Sequence, residues 1–193
     1  MNAMRKILIT AAVLLGVGAA ALGGWRSAGE TKTAGPPVSG TVADFTLMDA
    51  PRPMPADPFT DENGAEMTFA ELEGKVLLVN FWATWCAPCR VEMKALDRLE
   101  AAMGGADFAV VPISFDLNGA EAVLPFYEAY GLEHLPIALD PMGAIGDGLG
   151  IQALPTTIIV DRAGNGIGYL LGPVEWDSPE AEALIRYYID QAE

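Results

Sequence analysis

The stretch V-N-F-W-A-T-W-C-A-P-C-R, residues 79–90, contains the two cysteines of the chain, Cys86 and Cys89. A continuous apolar, β-branched run leads into it and predicts a strand over Val76–Trp82 that is buried on both faces. From Pro88 onward, apolar residues recur at helical spacing to about Met103. The two thiols therefore lie where a buried strand passes into a helix.

The position of Cys86 at a helix N-terminus has chemical consequences. Unpaired N–H groups and the positive end of the helix dipole favour a thiolate there, and the thiolate is the attacking species. Cys89 follows one turn later, within reach of a disulfide, and Pro88 lacks the N–H that a first turn leaves unpaired. Two such thiols can cycle between dithiol and disulfide through a mixed disulfide with another protein. We expect Cys86 to be the exposed, low-pKa thiol and Cys89 the shielded one.

Other uses of the cysteine pair are less consistent with the sequence. A structural disulfide across so short a loop would constrain the unfolded chain little. Zinc normally needs four ligands, and His134 is the one further soft ligand, so we expect no metal site. The edge between strand and helix is a poor place for inert buried thiols, and a one-cysteine peroxidase would leave Cys89 unexplained. The pair therefore predicts redox chemistry without a cofactor.

The remainder of the chain predicts an α/β protein. Gly104-Gly105 ends the first helix, and Ser178 with Pro179 begins the last one. Pro51, Pro53, Pro55 and Pro58 predict irregular structure through most of residues 51–58. The other predicted strands cover residues 108–115, 156–160 and 167–171, with shorter extended pieces at 45–47, 58–60 and 66–69. The other predicted helices cover 120–130 and 141–149.

Several motifs together resemble the thioredoxin superfamily, and more narrowly its exported, membrane-anchored branch of TlpA/ResA type. They are F-W-A-T-W-C-A-P-C-R at 81–90, the following Glu92, and L-P-T-T at 154–157. The sequence G-P-V-E-W-D-S at 172–178 is most similar to the TlpA type. The resemblance covers about residues 42–193. It implies a thioredoxin fold, with a central mixed β-sheet flanked by helices and an N-terminal extension.

The resemblance also implies roles for matched residues. Cys86 would attack the substrate disulfide, Cys89 would resolve the mixed disulfide, and Pro155 would be a cis-proline that faces the cysteines. The backbone at Leu154 would then pair with an extended substrate segment. Trp82 fits core packing better than Trp85 does. The residues expected to contact the substrate are Trp85, Pro88 and Leu154.

Glu92 stands three residues after Cys89 and so lies on the same face of the predicted helix. Similarity to ResA-type proteins favours a role as proton acceptor or donor for the Cys89 thiol. The alternative is an ordinary exposed helix carboxylate. Thioredoxin has a buried aspartate where this chain has Asn80, and asparagine cannot titrate. A proton relay here would therefore use Glu92, water or both.

The N-terminus predicts export. Arg5 and Lys6 precede an apolar run over residues 7–25, a layout typical of a secretory signal or a signal anchor. The run is close to the roughly 20 residues that cross a bilayer as a helix, which favours an uncleaved anchor over cleavage near residues 19–21. We therefore expect an anchor at 1–25, a flexible linker at 26–40 and a thioredoxin-like domain at 41–193. The domain would lie in the bacterial periplasm, held at the inner membrane.

The expected activity is that of a thiol-disulfide oxidoreductase that reduces disulfides in partner proteins. By resemblance, its clients would be a Sco-like copper chaperone, the copper subunit of cytochrome oxidase or apocytochrome c, and a DsbD/CcdA-type membrane carrier would re-reduce it. The alternatives are a Sco-like copper metallochaperone and a thiol peroxidase. The net charge of −15 argues against nucleic-acid binding. We expect a monomer.

Overall fold

The computed structural model describes residues 35–191, which form a mixed eight-stranded sheet with helices on both faces. The strand order is β1-β8-β7-β4-β5-β6-β2-β3. The central strand β4 runs parallel to β5 and antiparallel to β7. The strands are β1 (Thr46–Pro53), β2 (Phe59–Thr60), β3 (Glu66–Met67), β4 (Val76–Trp82), β5 (Phe108–Ser114), β6 (Ala138–Leu139), β7 (Thr156–Val160) and β8 (Asn165–Leu171). The helices are α1 (Ala87–Met103), α2 (Ala120–Tyr130), α3 (Ala144–Leu149) and α4 (Pro179–Asp190).

Side chains of β4 divide between two apolar cores because neighbouring residues of a strand point to opposite faces. Leu78 and Trp82 pack in the core formed with α1, α2 and α4. Val79 and Phe81 pack in the opposite core, which Ile145 of the short helix α3 joins. All seven residues of β4 are buried, as the continuous apolar run predicts. The fold is the thioredoxin-type architecture that the sequence predicts.

The helix boundaries follow local signals in the sequence. Helix α1 has Cys86 as its N-cap and Pro88 in its first turn, and the chain leaves the helix at Gly104. Helix α4 begins after Ser178, whose Oγ accepts a hydrogen bond from the Ala181 N–H at 3.3 Å. Helix α3 is shorter than predicted and starts at Ala144.

The prediction of irregular structure from residue 51 is wrong for residues 51–53, which belong to β1. Leu47 pairs with Gly168 and Arg52 with Gly166, so four residues of β1 lie opposite one residue of β8 in a large, irregular bulge. Pro51 lies in this bulge, where no ladder hydrogen bond is required, and β1 is an edge strand. The prolines therefore shape an edge strand instead of preventing it.

The proposed anchor at 1–25 and most of the linker at 26–40 lie outside the described residues. Residues 35–39 are in neither helix nor strand. Among residues 35–191, no helix combines the length and the apolar character that a membrane crossing requires.

Candidate active site

Cys86 and Cys89 form a disulfide at the N-terminus of α1, with their Cα atoms 5.3 Å apart. The backbone of Cys86 is extended, and its Sγ accepts a hydrogen bond from the Cys89 N–H at 3.2 Å. The helix N-terminus thus directs an N–H group at the Cys86 sulfur. Cys86 is 6% exposed and Cys89 is 0% exposed. Cys86 is therefore the more accessible sulfur, although it is far more shielded than the sequence predicts.

An open cavity of about 520 Å³ lies against Cys86. It brings together the three residues predicted to contact substrate, since Trp85, Pro88 and Leu154 all line it. Trp85 is 68% exposed, whereas Trp82 is fully buried in the core. The Leu154–Pro155 peptide bond is cis, the conformation that the family resemblance implies.

Glu92 is buried beneath the active site, with 1% of its surface exposed. The alternative of an exposed helix carboxylate is therefore wrong. Its Oε1 accepts a hydrogen bond from Nδ2 of Asn80 at 2.8 Å. Its Oε2 accepts hydrogen bonds from the Val174 N–H at 3.0 Å and from Nε1–H of Trp176 at 3.1 Å. Three N–H donors thus fix the position of the Glu92 carboxyl, and Glu92 lies on the same helix as Cys89.

Two effects act on the pKa of Glu92 in opposite directions. Burial disfavours the charged form and raises the pKa, while the bonds from Asn80, Val174 and Trp176 stabilise the carboxylate and lower it. Burial is the larger effect, and the pKa rises from 4.5 to about 7. Glu92 can therefore both accept and release a proton near neutral pH.

Asn80 is fully buried and is arranged asymmetrically. Its Nδ2 donates to Glu92 and also to Oγ1 of Thr157 at 2.9 Å. Its Oδ1 has no hydrogen-bond partner among the described residues. If Glu92 is protonated on Oε1, a half-turn of the amide brings this free oxygen to face the new proton. Asn80 can thus pair with either protonation state of Glu92.

Two further groups shape the site and were not predicted from the sequence. Val174 and Trp176 bind Glu92 from the loop before α4; the motif at 172–178 marked this loop but gave it no role. Asp116, in the loop after β5, is also buried and accepts hydrogen bonds from the N–H and Oγ1 of Thr84 at 2.8 and 2.6 Å. It thereby fixes the residue before Trp85. A lone aspartate after a strand carries no signal that would identify this contact in advance.

Comparison with known proteins assigns the family. Residues 41–185 match the family model described as Redoxin. The chain is 30% identical over 133 residues to the thiol-disulfide oxidoreductase ResA of Bacillus thuringiensis (strain Al Hakam), which covers 69% of this chain and 76% of the relative. The chain belongs to the ResA/TlpA-like family. As such a member it is a thiol-disulfide oxidoreductase with a Cys-X-X-Cys pair.

Two further comparisons agree with this ResA/TlpA-like assignment. The thiol:disulfide interchange protein HelX of Rhodobacter capsulatus is 34% identical over 117 residues, covering 59% of this chain and 64% of the relative. A crystal structure of a thioredoxin-family thiol:disulfide interchange protein from Chlorobium tepidum superimposes with a TM-score of 0.60 at 25% identity. It covers 74% of this chain and 99% of that one.

Proposed function

We propose that this protein is a reductant, in which Cys86 attacks disulfides of client proteins and Cys89 completes the exchange. The observation that carries the roles of the two cysteines is the contrast between their sulfurs, and the reducing direction rests on the family resemblance. Cys86 borders an open cavity, whereas Cys89 is fully buried on the same helix as Glu92, whose pKa is about 7. This arrangement supplies an accessible nucleophile and a shielded thiol with a proton acceptor on its own helix.

The reaction starts from the reduced dithiol. The Cys86 thiolate attacks one sulfur of the client disulfide, a mixed disulfide forms, and the other client sulfur leaves as a thiolate. Cys89 then transfers its proton toward the Glu92 carboxylate and attacks Sγ of Cys86. The second client thiol is released, and Cys86 and Cys89 end as the disulfide. Two electrons pass to the client, and a separate reductant must restore the dithiol.

We further propose where this reaction takes place and on what. The family resemblance and the N-terminal pattern favour a domain in the bacterial periplasm, tethered at the inner membrane by residues 1–25. Clients in copper-site assembly of cytochrome oxidase or in cytochrome c maturation fit this location: a Sco-like chaperone, the copper subunit or apocytochrome c. A DsbD/CcdA-type membrane carrier would supply the electrons.

Trapping in native membranes tests the proposal. In the Cys89→Ser variant the second step is blocked, so mixed disulfides on Cys86 should accumulate, and mass spectrometry would identify the clients. The Cys86→Ser variant is the matched control and should trap far less. Equal trapping by both variants, or none by either, would contradict the assigned roles. Tight retention of one equivalent of Cu(I) against a chelator would instead favour the copper-chaperone alternative.

A further inference from the structure

The cavity beside Cys86 borders two further cavities. It shares Ile151, Gln152 and Ala153 with a larger cavity of about 740 Å³ that reaches the edge strand β1. It also shares Phe115 and Ile151 with a smaller cavity near Met142. The three cavities adjoin at Ile151, and together we call them the groove. We call the larger cavity the β1 arm; its residues include Leu47, Met48, Asp49, Ile158, Tyr169 and Leu171.

The β1 arm exposes apolar side chains that a folded domain normally covers. Leu47 is 53% exposed and Leu171 is 61% exposed, and both line the arm. The groove as a whole collects most of the large apolar side chains that are exposed among the described residues. Such clustering marks interaction surfaces, whereas single exposed apolar residues are ordinary.

The fold explains why this surface is open. The sheet face that carries Ile158 and Tyr169 is covered by α3, which is only six residues long. Beyond α3 the bulge of β1 forms the wall of the arm, with Met48 and Asp49 in it. Arg52 fastens this wall by donating hydrogen bonds to the carbonyls of Gly148 at 2.7 Å and Leu149 at 3.4 Å. These hydrogen bonds hold β1 in a fixed position at the rim of the arm.

The charges of the arm indicate the sign of its ligand. Asp49 and Arg52 are its two charged lining residues. The guanidinium of Arg52 is bound to backbone carbonyls, whereas Asp49 is exposed and forms no ion pair within residues 35–191. The whole chain carries a net charge of −15. Arg52 keeps its positive charge at the rim, where the two carbonyls occupy two of its donors, whereas the carboxylate of Asp49 is left to pair with a ligand. The arm can therefore bind an apolar ligand that places one positive charge at Asp49.

We propose that the β1 arm binds an extended segment of the client protein, on one side of the client cysteine, that combines apolar residues with a lysine or arginine facing Asp49. This inference rests on the proposed function, because the client sulfur must bond to Cys86 and the client backbone must then leave along the groove. Binding in the arm selects clients by the sequence next to their cysteine. The covalent chemistry at Cys86 is unchanged.

Disulfide-linked peptide dimers test this selection on the full-length protein. Each reaction converts the protein dithiol and one peptide dimer into the protein disulfide and two peptide thiols. It is followed as a single conversion of the pre-reduced protein with peptide in excess, so KM here denotes the half-saturating peptide concentration and kcat the limiting rate. The reference peptide holds one cysteine among Gly and Ser. Test peptides add Leu-Val-Lys, through a short Gly-Ser spacer, before or after the cysteine. For one of the two placements we expect KM to fall roughly tenfold at unchanged kcat, the size expected from burying one aliphatic side chain.

Matched variants test whether the lower KM depends on residues of the β1 arm. Leu47→Gln and Leu171→Gln should abolish the advantage of the extended peptide, whereas Leu124→Gln, a similarly exposed leucine on α2, should retain it. Replacing the peptide lysine by glutamine should raise KM. Asp49→Asn should remove that difference between the two peptides, and Glu128→Gln on α2 should preserve it.

The outcomes separate this proposal from the proposed function. Equal KM values for all peptides, or an advantage that survives Leu47→Gln and Leu171→Gln, would overturn the β1 arm while reduction itself stands. A second measurement uses a peptide with serine in place of cysteine, followed by NMR of the oxidised protein. Shifts at Leu47 and Leu171 with the serine peptide, together with no reduction of the cysteine-containing peptide dimers, would support the arm and contradict the proposed function. Absence of these shifts would overturn the arm.

Discussion

At the scale of single residues, Glu92 shows how burial and hydrogen bonding compete for one proton. Three N–H donors point at its carboxyl, yet burial still raises the pKa to about 7. The Oδ1 of Asn80 has no partner among the described residues, and a half-turn of the amide would let it accept a hydrogen bond from protonated Glu92. The fixed aspartate of thioredoxin is thus replaced by a neutral amide that can pair with both forms of a glutamate on the neighbouring helix.

Glu92→Gln should slow reduction of a protein disulfide at least roughly tenfold near neutral pH, a lower bound beneath the roughly 100- to 10,000-fold that a placed proton-transfer group typically contributes. Cys89 is fully buried, and a nearby base can take the proton that its thiol must lose before it attacks. The effect should shrink in alkali, where the thiol ionises unaided. Stopped-flow rates between about pH 5 and pH 9 would measure it. A flat ratio to wild type across this range would contradict the role of Glu92.

Glu92→Gln should keep the fold, and its stability should depend less on pH than that of the wild type. The glutamine oxygen can accept from Val174 and Trp176, and its amide can face the free Oδ1 of Asn80, so the fold should persist. Because the folded-state pKa of Glu92 is raised above 4.5, its contribution to stability is present below pH 4.5 and is lost as pH rises through about 7. Urea unfolding of Glu92→Gln should lack this decline. A decline identical to wild type would show that another group titrates.

At the scale of secondary-structure elements, the loop before α4 is attached to the active-site helix through Glu92. Val174 and Trp176 are 82 and 84 residues from Glu92 in sequence. No local pattern reports such a contact, and for this reason the sequence predicted the helix, the cysteines and the candidate base but not their neighbours. The large bulge of β1 was not predicted either, because the register of β1 depends on its pairing with β8. Strand β4 and helix α1 were predictable because their signals are periodicity and capping residues within one segment.

Trp176→Phe should raise the pKa of Glu92 by about one to two units, because a hydrogen bond to a charged group stabilises the carboxylate by roughly 1.5–3 kcal/mol. NMR titration of the Glu92 carboxyl carbon would measure the shift. Trp82→Phe is the matched control, since Trp82 is equally buried but its indole N–H donates to the Pro112 carbonyl at 3.2 Å. A similar rise in both variants would attribute the effect to loosened packing.

Gly168→Ala should destabilise the pairing of β1 with β8. A Cβ at this position would collide with the ring of Phe45, which is packed between β8 and α4. Overpacking of this kind costs about 1–3 kcal/mol, to be measured by chemical denaturation. Gly105→Ala is the control, because a Cβ there meets no atom within 4 Å. Equal stability of the two variants would show that Phe45 moves aside without cost.

At the scale of the whole molecule, the net charge of −15 affects the rate at which charged partner proteins approach. The three ion pairs within residues 35–191, Arg98–Asp177, Arg162–Asp107 and Arg186–Glu182, are all at least partly exposed and contribute little stability. The excess negative charge acts at longer range. It attracts basic partners before any contact forms, and salt weakens this attraction.

Reduction of a basic client should slow by about tenfold or more as the ionic strength rises from about 0.01 M to about 0.1 M, where the screening length falls from roughly 30 Å to 10 Å. The second-order rate constant under single-turnover conditions measures this dependence. An uncharged disulfide peptide serves as the control and should react at a rate independent of salt. Equal salt dependence for both substrates would assign the effect to the chemistry at Cys86.

The contact between Thr41 and Glu175 gives the N-terminal junction an unexpected place in the molecule. Oγ1 of Thr41 accepts a hydrogen bond from the Glu175 N–H at 2.9 Å, and Glu175 lies between the two residues that bind Glu92. Tension applied through the N-terminal side would therefore act on the loop whose Val174 and Trp176 bind the Glu92 carboxyl. For immobilisation on an electrode or a bead, the exposed surface of α2 is the safer point of attachment. A support coupled through residue 40 would transmit force to the loop that binds Glu92, beside the active site whose activity is being measured.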